Sequence, residues 1–217
     1  MQDVLRRQGF GGGAKVRPEI KSLTEELLTS LEGERLLDPT AAYENYPITG
    51  MDGSRISLEG DKAVHGPALP ALFPGARELV VLICTIGPKL EKHVSDYNKS
   101  SQALRSLLLD GIGSAAVDTM VPAALTFIVA EASSRGYETS SPVNPGMPGF
   151  PMTEQGNLLE LAHADQIGVS VTPSGILIPR KSVSMVLGVG PRMPMWTQAE
   201  VCARCNLRET CPYKITE

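Results

Sequence analysis

The chain has 217 residues, 42% of them hydrophobic and 20% charged, an ordinary globular composition with enough length to bury a core without disulfide staples. Its formal net charge is −4 and no long basic run occurs, which argues against nucleic acid as a partner, since neutralising phosphates takes clustered Lys and Arg. No run approaches the roughly 18 consecutive apolar residues of a membrane span, and Met1 to Gln8 lacks a signal-like apolar region, so a cytoplasmic protein without membrane contact is expected.

Gly9-Phe10-Gly11-Gly12-Gly13 is too short for a phosphate-binding loop and reads as a turn. From Pro18 to Leu31 the apolar residues Ile20, Leu23, Leu27, Leu28 and Leu31 recur at helical spacing, and Pro39 then breaks the chain. Tyr46 to Met51 and Arg55 to Leu58 flank the turn dipeptide Asp52-Gly53, which predicts a hairpin. Leu79 to Cys84 is a continuous apolar run, as expected of a strand buried on both faces. Gly87-Pro88 ends it and opens a helix through about Tyr97.

Ser101 to Arg135 is the longest helical stretch, and Pro122 is expected to kink or divide it. Gly111, Gly113, Ala115 and Ala116 would let another helix approach closely. Ser140 to Pro151 is too rich in Pro and Gly for regular structure. A short helix from Glu154 to Ala164 is expected next, with strands at Gly168 to Thr172, Gly175 to Ile178 and Ser182 to Val189. The tail beyond Gly190 reads as irregular. This mixture is α+β, with no repeated βαβ alternation.

Three of the four cysteines fall in that tail. Cys202-Ala203-Arg204-Cys205 sets two thiols one turn apart, Cys211 follows after five residues, and Pro212 comes directly after it. Thiolates this close can converge on one soft ion or one iron–sulfur cluster. Iron–sulfur, structural zinc and redox-sensitive thiols all fit the spacing. A fourth ligand could be Cys84, His65, His93, His163, water or a partner's residue. Arg204, Arg208 and Lys214 would favour the thiolate form. No nucleophile–base pair stands out, so catalytic residues and enzyme status are left open.

Three segments together resemble the reactivation (activation) domain of cobalamin-dependent methionine synthase. The first is Thr85-Ile86-Gly87-Pro88-Lys89-Leu90-Glu91, after the buried strand. The second is Pro145-Gly146-Met147-Pro148-Gly149-Phe150-Pro151, similar to the family's Pro-Gly-Tyr loop that leads into a helix. The third runs from Ile167-Gly168 through Val171-Thr172 to Pro179-Arg180-Lys181-Ser182-Val183-Ser184. Their order and gaps agree with the family, and together with Leu36-Leu37-Asp38-Pro39 they span most of the chain.

The resemblance implies a single C-shaped domain over residues 1–190, with a twisted antiparallel sheet and flanking helices; the cysteine-rich tail over 191–217 is expected to pack on it. It implies an accessory protein in the reductive reactivation and remethylation of a corrinoid-dependent methyltransferase, a methionine synthase without its own activation domain. The partner would carry the cobalamin, an external donor would supply the electron, and Cys202, Cys205 and Cys211 could relay it. The ligand-facing residues would be Pro145, Gly146, Met147, Ser182 and Ser184. Pro142 and Met147 stand where the family has an Arg and a Tyr, which weakens the implied S-adenosylmethionine site. Ser-Val-Ser is also an ordinary half-buried strand. The alternative is a non-catalytic scaffold that binds a corrinoid protein, holds structural zinc and does not bind S-adenosylmethionine.

Overall fold

The structure is a computed structural model that describes residues 16–204 and 208–211. Its strands are β1 (Thr40–Asp52), β2 (Arg55–Leu58), β3 (Lys62–His65), β4 (Glu78–Thr85), β5 (Glu138–Thr139), β6 (Ser170–Val171), β7 (Leu177–Ile178) and β8 (Ser182–Gly190). The helices are α1 (Pro18–Glu34), α2 (Leu69–Leu72), α3 (Lys89–Lys99), α4 (Ala103–Ser134), α5 (Gln155–Leu161) and α6 (Gln198–Arg204). One antiparallel sheet has six strands in the order β3-β2-β1-β4-β8-β5, and β6 and β7 form a separate pair.

The central strands decide the layering. Leu79, Val81 and Ile83 of β4 face one core, and Val80, Leu82 and Cys84 face another, because successive side chains leave a strand on opposite sides. On β8, Val186 joins the first core, while Met185, Leu187 and Val189 join the second. α5, the α2 turn and the loop residues Val143 and Phe150 cover the first face. Ile128 and Ala132, near the end of α4, cover the second. A third core joins α1, α3 and the first half of α4 around Leu27, Leu90, Leu108 and Ile112. There Gly113 sits at the contact with α3: a Cβ on it would lie 2.7 Å from Leu90 Cδ2, so the Leu90 side chain would have to shift to admit one.

The expected α+β architecture is present, with differences in its elements. β1 begins at Thr40, six residues before the expected Tyr46, because Thr40 to Pro47 pair with Thr85 to Glu78. α4 is not divided at Pro122: it runs as one 32-residue helix, with Pro122 on its exposed side, away from the packed faces that a ring there would disturb. An 18-residue window of α4 has mean hydropathy 1.6, long and apolar enough by length and composition to cross a bilayer. No run of consecutive apolar residues marks this helix in the sequence, because Asp110, Asp118 and other polar residues interrupt it. Here the helix packs on α1, α3 and the sheet, and Lys181 Nζ pairs with Asp110 at 2.8 Å. β3 and α2 are additional, and the tail is not wholly irregular, since it contains α6.

Candidate functional site

The Ser140–Pro151 loop is held from several sides. Val143 bridges to Val186 of β8 in both directions, and the Asn144 side-chain amide donates to the Ser184 carbonyl at 2.8 Å. Gly146 N–H donates to Phe150 O at 2.7 Å and Phe150 N–H to Met147 O at 2.9 Å, closing a tight turn. Phe150 is only 1% exposed and anchors the turn in the first core. Beyond it, Ala68 N–H donates to Gly149 O at 3.2 Å, zipping the loop to the residue before α2.

The Asn144 contact sets the Pro145–Met147 turn beside Ser184, whereas Ser182 lies by Thr85 at the start of β8, and the polar atoms of Met147, Ser182 and Ser184 are engaged within the protein. Met147 is partly buried against the first core, and its sulfur accepts the Asn144 N–H at 3.3 Å. Ser182 Oγ donates to Thr85 Oγ1 at 2.8 Å, and that oxygen also accepts Gly87 N–H at 3.1 Å. Ser184 is 3% exposed and donates to Gln155 Oε1 at 3.0 Å. Pro145 and Gly146 offer only backbone. The Ser182 and Ser184 hydroxyls thus both donate within the protein.

Of the cysteines, Cys84 lies in the second core, fully buried, and burial pushes its thiol up to about 11. That position closes it off as a fourth ligand to a metal in the tail. Cys202 and Cys211 are half-buried, and Cys205 lies outside the described residues. Among the described residues no group of three or more His, Cys, Asp or Glu is arranged to hold a metal. Of the three histidines, His93 stands apart, 3.7 Å from Glu34, while His65, 3.5 Å from Glu154, and the exposed His163 line one cleft.

The tail joins the body next to the loop, a junction that the residue pattern alone did not disclose. Met193 is buried in the first core and Trp196 packs against it. Ser141 N–H donates to Pro194 O at 3.2 Å, and Trp196 N–H donates to Ser141 Oγ at 2.7 Å. Thr197 then starts α6 with a reciprocal cap: Glu200 N–H donates to Thr197 Oγ1 at 3.2 Å, and Thr197 N–H to Glu200 Oε2 at 2.6 Å. The signal was Thr197-x-x-Glu200 itself.

An open cleft of about 650 Å³ lies between β3 and α5, lined among others by Arg55, Lys62, His65, Glu154, Asn157 and His163. Much of its polar lining holds the sheet edge. Asn157 Nδ2 donates to Ala63 O at 2.8 Å and His65 N–H donates to Glu154 Oε2 at 3.0 Å, satisfying outward groups of edge strand β3. Lys62 Nζ donates to Tyr46 OH, which donates to Leu161 O at 2.6 Å, tying the other end.

An open antiparallel sheet, with a packed loop and helix on one face and a long helix on the other, is the α+β fold of a reactivation domain. No family model and no curated protein matches the chain. Among solved structures, the MetH reactivation domain bound to AdoHcy is similar, with a TM-score of 0.61, 15% identity, and coverage of 82% of this chain and 67% of that one. At that identity the likeness establishes the fold. The ligand belongs to that protein, though its presence runs against the expectation that S-adenosylmethionine recognition is weakened here.

Proposed function

We propose that this protein supports the reductive reactivation of a cobalamin-dependent methyltransferase, a methionine synthase without its own reactivation domain. The observation that carries this reading is the likeness to the MetH reactivation domain over 82% of the chain. In this reading residues 1–190 form the domain that meets the corrinoid protein, and 191–217 form a tail packed on it. Pro145, Gly146, Met147 and the Ser182–Ser184 stretch make up the contacting face. Cys202, Cys205 and Cys211 hold an iron–sulfur cluster, whose chemistry when bound is one-electron transfer. The corrinoid and the methyl donor supply the remaining chemistry, and the protein supplies position.

A second reading is favoured by the committed polar atoms of Met147, Ser182 and Ser184. In it the protein is a scaffold for the corrinoid partner, with structural zinc and no S-adenosylmethionine binding. Metal analysis and an absorption spectrum of anaerobically purified protein separate the two. Iron and sulfide with a broad absorbance that dithionite bleaches support the relay, whereas zinc without a chromophore supports the scaffold. Both readings require saturable binding to a cobalamin-loaded methionine synthase fragment in calorimetry, and no heat at any ratio would overturn both.

A further inference from the structure

The segment between the end of β8 and the start of α6 is built as a strap. Its residues alternate in orientation: Met193 is buried, Met195 is 71% exposed, and Trp196 returns to the first core. Met193 has a seat made of glycines. A Cβ on Gly188 would lie 2.7 Å from Met193 Cε, and one on Gly190 would lie 3.2 Å from Met193 Sδ. Its backbone is held as well, with Met193 N–H donating to Glu138 Oε2 at 3.0 Å. Ser141 is the second fastening, accepting the Trp196 N–H through Oγ and donating its own N–H to Pro194 O. The first residue after this fastening, Thr197, caps the helix that carries Cys202.

We propose that the strap is a positioning element: Met193 in its glycine seat and Ser141 on Trp196 fix the origin of the cysteine-bearing helix beside the Ser140–Pro151 loop. The cysteine tail thus starts from a fixed point on the domain. In this proposal Met193 and Ser141 act by placing α6 and its cysteine. The strap stands on its own geometry, and its consequence for reactivation rests on the function proposed above.

Trp196 is the sole tryptophan, so its fluorescence reads the strap directly. The test compares wild type, Met193→Ala, Met193→Leu and Ser141→Ala by acrylamide quenching, trypsin cleavage at Arg192, circular dichroism, metal content and reactivation rate. Met193→Ala and Ser141→Ala are expected to expose Trp196 and open Arg192 to trypsin while the circular dichroism and metal content hold. Reactivation should fall by on the order of tenfold to a hundredfold, as misplacement of a reacting group does. Met193→Leu, which refills the seat, should restore shielding and rate together. Quenching unchanged in Met193→Ala, or an exposed Trp196 with an undiminished rate, would overturn the proposal. Should the wild type support no reactivation, the functional reading fails, and quenching and cleavage alone decide whether the strap is fastened.

Discussion

Replacing Gly149 with alanine tests how the Pro145–Pro151 loop is held. Gly149 has φ +79°, a conformation that costs an L side chain roughly 1–2 kcal/mol. The added Cβ would also stand 2.2 Å from Ala68 Cβ and 3.0 Å from Ala68 N. Neither atom is the end of a flexible side chain, so the two backbones must part, and the Ala68 N–H to Gly149 O bond is strained with them. Overpacking of this kind costs about 1–3 kcal/mol, which brings the total to about 2–5 kcal/mol. Gly136 is the control: its φ is +77° and an added Cβ would meet nothing within 4 Å. Gly136→Ala should therefore show the conformational part alone, about 1–2 kcal/mol. Urea unfolding followed by Trp196 fluorescence measures both. A loss in Gly149→Ala no greater than in Gly136→Ala would refute the packing argument.

Ser184→Ala should cost about 1–3 kcal/mol in the same assay, because it leaves the buried Gln155 Oε1 without its donor. Ser182→Ala should cost less, about 0.5–1 kcal/mol, since Thr85 Oγ1 keeps the Gly87 N–H. Burial works to raise the Glu78 carboxyl, but hydrogen bonds from Arg135 and Asn45 outweigh it and hold the group below its ordinary range. A depressed carboxyl contributes stability above its unfolded value, roughly pH 4.3, and loses it as pH falls through the folded value. Arg135→Gln should therefore be less stable than wild type near neutrality, with the gap closing in acid when unfolding is repeated across pH. In metal-free folded protein, maleimide should modify the half-buried Cys202 and Cys211 and spare Cys84, read by peptide mass spectrometry; labelling of Cys84 at the same rate would contradict its burial.

The two-sided burial of Leu79 to Cys84 was legible because a continuous apolar run at strand length has few other solutions. The first half of β1 was not, since Thr40 to Asn45 carries no alternation and is a strand only by pairing with β4. β3 shows a single fully buried residue, Val64, so its pattern was too short to detect. The loop was recognisable as irregular from its Pro and Gly, yet nothing local disclosed that Phe150 plugs the core or that Met147 folds back onto Asn144. Ser182 and Ser184 look equivalent in the sequence. The sheet separates them, placing Ser184 against α5 on the first face and Ser182 beside Thr85 at the strand end. The order of the tail was hidden because it comes from long-range contacts to Ser141 and Glu138, with only the Thr197–Glu200 cap visible locally.

The most direct test of the proposed function is an add-back assay. Methionine synthase lacking its reactivation domain is trapped as cob(II)alamin, supplied with S-adenosylmethionine and an electron donor, and titrated with this protein while methylcobalamin absorbance and methionine formation are monitored. The account predicts saturable recovery of both. Methionine synthase that binds the protein but stays in the cob(II)alamin state at saturation would contradict it.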